Sequence, residues 1–254
     1  MATPSGMQTI FSQATALAVL LAAGLATSPA TLAASLSAPV AAPAPGAPAK
    51  AGRGDADAIR ALNREAFERY EAGDTARALQ RFRQAADLGD ASARYNVAVI
   101  RLRDESRRPS AATAVALLRA SAEAGFAPAQ YMLASLLETG QHVHASQAEA
   151  TAWYLRAAEQ GMVDAQLSAA TQYYLGRGVA QDYAQAARWY ERAADGGDVA
   201  AQYLIASMYH AGLGVAQDLR AALVWYAAAA RQGDEVAREQ ARLLADRIAR
   251  ERDS

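Results

Sequence analysis

Two stretches of this chain, AQLSAATQYYLGRGVAQDYAQAARWYERAADGGD over residues 165–198 and AQYLIASMYHAGLGVAQDLRAALVWYAAAARQGD over residues 201–234, align residue for residue at a step of 36. Carrying the step outward places Ala93, Ala129, Ala165, Ala201 and Ala237 in one column. Gly89, Gly125, Gly161, Gly197 and Gly233 form a second, with no residue inserted or deleted. Self-similarity at such a period is the mark of a repeat architecture, in which each unit buries its apolar face only against its neighbours.

The other columns say what each position does. Ala78, Ala114, Ala150, Ala186 and Ala222 recur, as do Ala86, Ala122, Ala158, Ala194 and Ala230. Alanine at fixed intervals lets two helices approach closely. All three tryptophans, Trp153, Trp189 and Trp225, share a column, each followed by Tyr154, Tyr190 or Tyr226, with Phe82 and Leu118 in the earlier units. These aromatics read as structural, filling the wider gap between neighbouring hairpins. The glycine column follows the second helix of each unit, where the residue past the helix end needs positive φ. Between the helices of two units stand Gly176, Gly178 and Val179, and Gly212, Gly214 and Val215. Asp182 and Asp218 then sit where they can cap the next helix.

On these residues the chain resembles Sel1-like repeats of the tetratricopeptide superfamily over about residues 92–235. The resemblance implies an all-α fold, a right-handed, curved α/α superhelical solenoid of stacked two-helix repeats. Residues 56–91, containing AFERYEAGDTARALQRFRQAADLGD with a short turn at Gly73 and Asp74, resemble a plain tetratricopeptide hairpin. Sel1-like units are expected at 92–127, 128–163, 164–199 and 200–235. The match weakens toward the N-terminus: one unit has His142 and Ser146 where its neighbours have glycine and aspartate, and another reads LRDESRRPS in place of the glycine loop. Residues 236–252 are expected to form a C-terminal capping helix, with Val236, Leu243, Leu244 and Ile248 on one side. Arg238, Glu239, Arg242, Asp246 and Arg250 take the other, giving the polar outer face that a terminal element needs.

The first 55 residues differ in kind. From Ala14 to Ala26 runs an uncharged apolar stretch, followed by small residues around Ser28, Ala30, Ala33 and Ala34. Its length suits a signal peptide's apolar region and falls short of the ~20 residues needed to cross a bilayer. Residues 1–34 therefore read as a signal peptide and the mature chain as periplasmic or secreted. No Lys or Arg precedes the run, which keeps an inner-membrane anchor or a cytoplasmic chain as the alternative. Residues 35–55, including APVAAPAPGAPAKAGRG, read as a disordered Ala/Pro-rich linker whose small side chains bury little area. Six of the eight prolines lie at or before Pro48, so helices can run unbroken beyond it.

Composition excludes several classes of function. Basic and acidic residues number 25 and 26, so no strong field favours nucleic acid or an anionic membrane. No cysteine is present, which removes disulfides, thiol nucleophiles and thiolate metal sites. His142 and His144 could contribute two metal ligands, yet no further ligand accompanies them. The glycine pairs follow a helix, lack a third glycine and carry no Gly-Lys-Ser or Gly-Lys-Thr, so they do not form a nucleotide loop. No metal, no cofactor and no catalytic residue is therefore expected.

In the family resembled, first helices line a concave ligand surface. Offsets of four and then three on those helices give Tyr95, Val99 and Leu102; Tyr131, Ser135 and Glu138; Leu167, Thr171 and Tyr174; Tyr203, Ser207 and His210. Tyr95, Tyr131, Ser135, Glu138, Thr171, Tyr174, Ser207 and His210 are the candidate partner-binding residues. The sharpest are Glu138, Tyr174 and His210, which share a column and differ chemically, as an asymmetric ligand requires. The expected function is that of a non-enzymatic adaptor holding a protein, peptide or cell-envelope partner in the groove, with no membrane insertion after signal cleavage. The alternative, by analogy with secreted relatives, is a cell-wall or β-lactam-active hydrolase or binder. Those relatives are rich in disulfides, which this chain cannot form. The sequence leaves partner identity and oligomeric state open.

Overall fold

The computed structural model describes residues 40–41, 53–103 and 111–252. The expected signal peptide and most of the linker lie outside these residues. Among the described residues the fold is all-α, with helices paired into stacked hairpins as in a repeat solenoid. Two compact units divide the chain between Met162 and Val163.

The unit ending at Met162 holds α1 (Arg53–Glu71) and α2 (Thr75–Asp87), α3 (Ala91–Arg103) and α4 (Ala111–Glu123), and α5 (Ala127–Thr139) and α6 (Gln147–Glu159). Each pair packs as an antiparallel hairpin, and α2 packs on α3 and α4 on α5. The unit beginning at Val163 holds the hairpins α7 (Val163–Leu175) with α8 (Tyr183–Asp195) and α9 (Val199–Ala211) with α10 (Leu219–Arg231), closed by α11 (Glu235–Arg252). Here α8 packs on α9 and α10 on α11. Helix α1 begins three residues before the expected start of the repeat domain, at Arg53.

The alanine columns mark the closest packing. Ala78, Ala114, Ala150, Ala186 and Ala222 are wholly buried, as are Ala93, Ala129, Ala165, Ala201 and Ala237. A larger side chain at any of them would overpack an interior with no room to yield. Between hairpins, Phe82, Leu118, Trp153 and Trp189 are buried, while Trp225 in the last hairpin is half-buried. The guanidinium of Arg156 lies 4.3 Å from the Trp153 ring centre and that of Arg192 lies 4.6 Å from Trp189, so arginine covers the outward face of each indole.

Helix ends are satisfied as the columns require. The glycine after each second helix takes φ between 89° and 98°. Chain reversal there returns backbone N–H groups to the last helical carbonyls, as in Gly197 N–H to Ala194 at 3.0 Å and Asp198 N–H to Ala193 at 3.1 Å. In three units the residue that follows is an aspartate that caps the next helix: Asp90 accepts from Ala93 N–H at 2.7 Å, Asp198 from Ala201 N–H at 2.7 Å, and Asp234 from Ala237 N–H at 2.9 Å. Asp182 and Asp218 cap α8 and α10 through two backbone N–H groups each. Ser146 does the same for α6 with one, from Glu149.

The capping helix needs a correction. Its buried stripe is Ala237 and Leu244, with Ala241 and Ile248 packed beside them. Val236 and Leu243, expected on the inner side, are 57% and 47% exposed. Spacings of four, three and four follow the 3.6-residue turn, and the alanines put α11 close enough to α10 that bulk is needed only at Leu244 and Ile248. Val236 is the neighbour of the stripe residue Ala237 and Leu243 that of Leu244, so each points one residue away from the buried line.

Candidate functional site

In three hairpins the candidate residues meet at the tyrosine that follows tryptophan. In the hairpin of α5 and α6, the Tyr154 phenol donates to Glu138 Oε2 at 2.8 Å, hydrogen-bonds Ser135, and its ring stands 5.5 Å from that of Tyr131. Three residues of one face of α5 thus converge on one side chain of α6. Burial first, and then the neighbouring Glu138 charge, push the Tyr154 phenol well above its ordinary range. It stays protonated and serves Glu138 as a donor.

In the other unit the pattern recurs twice. Tyr190 on α8 pairs with Thr171 Oγ1 at 3.1 Å, and its ring lies 6.3 Å from that of Tyr174. Tyr174 also meets Tyr183 edge-on at 5.2 Å. Tyr226 on α10 hydrogen-bonds Ser207, packs edge-on against Tyr203 at 5.3 Å, and lies 6.5 Å from the His210 ring. Burial pushes the Tyr174 and Tyr226 phenols up to about 12. Around His210, burial foremost and the Arg247 charge after it lower the imidazole's affinity for a proton.

Accessibility separates the candidates. Tyr95, Ser135, Thr171 and Tyr174 are buried at 3 to 7% exposure, and Tyr95 stacks edge-on with Phe126 at 5.4 Å. Tyr131, Glu138, Ser207 and His210 keep part of their surface in solvent. The buried four pack inside the hairpins, and the other four are reached by solvent. The backbone at the variable column is itself pinned: side-chain amides of Gln147, Gln181 and Gln217 donate to the carbonyls of Glu138, Tyr174 and His210 at 3.0, 2.8 and 2.8 Å. The result is a rigid main chain under changeable side chains, which suits recognition.

Two features went unread in the sequence. One is the tyrosine of each Trp-Tyr pair, taken as packing because it repeats. The other is Asn96 on α3, 1% exposed, which stands in a column with Met132, Ser168 and Leu204. An amide where later units carry Met, Ser and Leu was the available signal. Asn96 Oδ1 accepts from Ala41 N–H at 2.8 Å and its Nδ2 donates to the Ala41 carbonyl at 3.0 Å. Val40 beside it is 4% exposed and joins the core cluster of α1, α2 and α3 with Phe82, Val97 and Ile100. Within the stretch expected to be a disordered linker, these two residues are anchored. Nearby in sequence, Asn63 on α1 donates to Asp90 Oδ1 at 3.0 Å, which also accepts from Ser92 at 2.7 Å, and this buried trio fixes the start of α3.

His142 and His144 are both exposed. Among the described residues no group of three or more His, Asp or Glu side chains is placed to hold a metal ion.

The family model described as Sel1 repeat matches residues 70–90, 91–126, 127–162, 163–198 and 199–234, more than half of the chain. The last four matches begin and end one residue before the units read from the columns, and the first lies within the 56–91 hairpin expected to be of plain tetratricopeptide type. Among solved structures, a protective antigen of uropathogenic Escherichia coli with an SLR fold, c5321, is 30% identical with a TM-score of 0.64, over 72% of this chain and 43% of that one. A Sel1 repeat protein from Oxalobacter formigenes is 29% identical with a TM-score of 0.62, over 70% of this chain and 75% of that one. The chain thus spans less than half the length of the E. coli antigen. No curated protein matches the sequence at a significant level.

Proposed function

The chain belongs to the Sel1 repeat family, and from that premise we propose that it is an exported, non-catalytic adaptor that binds a protein or peptide of the cell envelope on the face of its first helices. The observation that carries this reading is the contrast between hub and rim. Tyr154, Tyr190 and Tyr226 repeat and are buried, whereas Glu138 and His210, which share a column beside them, differ in chemistry and keep part of their surface in solvent. A fold that only had to stack would have no reason to vary this column around a constant support. Polypeptide is the partner class best suited to it, because aromatic, hydroxyl and single charged groups offer both apolar contact and hydrogen bonds. Export is supported by the uncharged apolar stretch Ala14–Ala26 and the small residues after it. Among the described residues no helix is long and apolar enough to cross a membrane.

The test is site-directed photocrosslinking in cells. A photoreactive side chain replaces Glu138 or His210 and, as control, Val224, which is 64% exposed on a second helix. Adducts with one envelope polypeptide from the first two positions and none from Val224 are expected. Equal adducts from all three would overturn the assignment of the binding face. Mass spectrometry of the mature N-terminus decides export, with cleavage near Ala34 expected and an intact N-terminus contradicting it.

A further inference from the structure

We propose that Asn96 and the apolar niche beside it form a receptor subsite for an extended peptide, and that the chain's own Val40–Ala41 segment fills it as an internal competitor. The inference deepens the groove-binding reading above, and its biological meaning rests on that reading.

Both hydrogen bonds that Asn96 makes among the described residues go to the backbone of a single residue, Ala41. In an extended chain the N–H and C=O of one residue point to the same side, so a side-chain carboxamide can pair with both as a neighbouring strand would. Such pairing reads the main chain and is indifferent to the side chain at that position, apart from excluding proline, which has no N–H. Selectivity falls to the preceding residue, where the cluster of Phe82, Val97 and Ile100 takes up Val40, a small branched side chain. Main-chain bonds for affinity and a side-chain niche for selectivity are the division of labour found where extended peptides are recognised.

The occupant is suited to an exchangeable contact. Pro39 before the pair has its own φ fixed near extended values, and Pro43 biases Ala42 after the pair toward extended backbone, so the chain on either side loses less entropy on docking. Attachment to the same chain keeps the segment at a high effective concentration, on the order of millimolar for a short flexible tether. Asn96 itself is costly without an occupant, because a buried carboxamide left unpaired loses both bonds. A constant internal ligand removes that cost while the partner is absent. The partner is accordingly an extended segment with a Val-like residue followed by any residue except proline.

Thiol protection tests this in the full chain. The protein has no cysteine, so Val40→Cys introduces a unique thiol of similar bulk at the niche. Its alkylation rate reports how often the segment leaves. Slow alkylation is expected, accelerated at least tenfold by adding Asn96→Ala. The synthetic peptide LSAPVAAPAP, the sequence of residues 36–45, should accelerate it in a dose-dependent manner at millimolar concentration, and LSAPVPAPAP should not. An unchanged rate with the first peptide, or equal acceleration by both, overturns the proposal. The peptide pair needs no second substitution, so the result stands even if Asn96→Ala proves unstable. No envelope partner enters the measurement, so its failure leaves the photocrosslinking result to be judged alone, and the converse holds.

Discussion

The Tyr154 phenol on α6 donates a 2.8 Å hydrogen bond to Glu138 Oε2 on α5, which ties a buried repeat residue to one that differs from unit to unit. The link that recurs is to a hydroxyl in another column of the first helix: Tyr154 hydrogen-bonds Ser135, Tyr190 Thr171 and Tyr226 Ser207. These three hairpins therefore each carry a polar bolt between their two helices.

Tyr154→Phe removes a bond to a carboxylate and should destabilise the protein by about 1 to 2 kcal/mol, near the lower end for a hydrogen bond to a charged group because Glu138 is partly solvated. Tyr190→Phe breaks only a hydroxyl pair and should cost about 0.5 to 1.5 kcal/mol. Urea unfolding at constant slope measures both. A larger loss for Tyr190→Phe would mean that the carboxylate contributes nothing.

Gly214→Ala should be among the most disruptive single changes in the loops. A Cβ there would lie 2.2 Å from the Tyr183 carbonyl oxygen, in a backbone at φ +72°. Left-handed strain and a clash with fixed main chain add, for a cost of about 3 kcal/mol or more. Gly73→Ala shares the positive φ and meets nothing within 4 Å, so it should cost only about 1 to 2 kcal/mol. Comparable melting temperatures for the two variants would contradict the close approach at Gly214.

His142 stands at φ +61° where the neighbouring units have Gly178 at +70° and Gly214 at +72°. His142→Gly should therefore raise stability by about 1 kcal/mol or less, the left-handed cost of a side chain less the entropy cost of glycine. Chemical denaturation reads the difference, and a destabilised variant would show that the imidazole makes a contact worth more than its strain.

His210 predicts a pH dependence. Its folded-state pKa lies below the model-compound value of 6.5, chiefly through burial. The folded protein then binds fewer protons than the unfolded chain, so stability is complete above pH 6.5 and is lost as pH falls from there through the lowered folded value. The melting temperature of the wild type should drop more than that of His210→Gln between pH 7.5 and 5.5. Parallel curves would remove His210 from the account.

Much of this was legible from residue columns because those columns encode local geometry. Positive φ after a helix, a carboxylate before one and alanine between two are requirements of the backbone, and Gly197, Asp182 and Ala186 satisfy them in any unit. The bolts were not legible, because whether Tyr154 reaches Glu138 depends on how two helices pack, and repetition of the tyrosine made it look like filler. On α11 the same preference for bulk over period placed Val236 and Leu243 inside, when Ala237 and Ala241 mark the buried stripe. Asn96 was readable as a break in a column, but its meaning required Ala41, which the sequence assigned to a featureless linker.

The central claim is that variable residues on the first helices make the partner contact while the hub tyrosines only support them. It is tested most directly by the dissociation constant of the photocrosslinked polypeptide for the wild type, for Glu138→Gln/His210→Ala and for Val224→Ala. The account predicts at least a tenfold loss for the double variant, about 1.4 kcal/mol, in protein that stays folded at neutral pH, and no change for Val224→Ala. Wild-type affinity in the double variant together with weakened binding by Val224→Ala would contradict it.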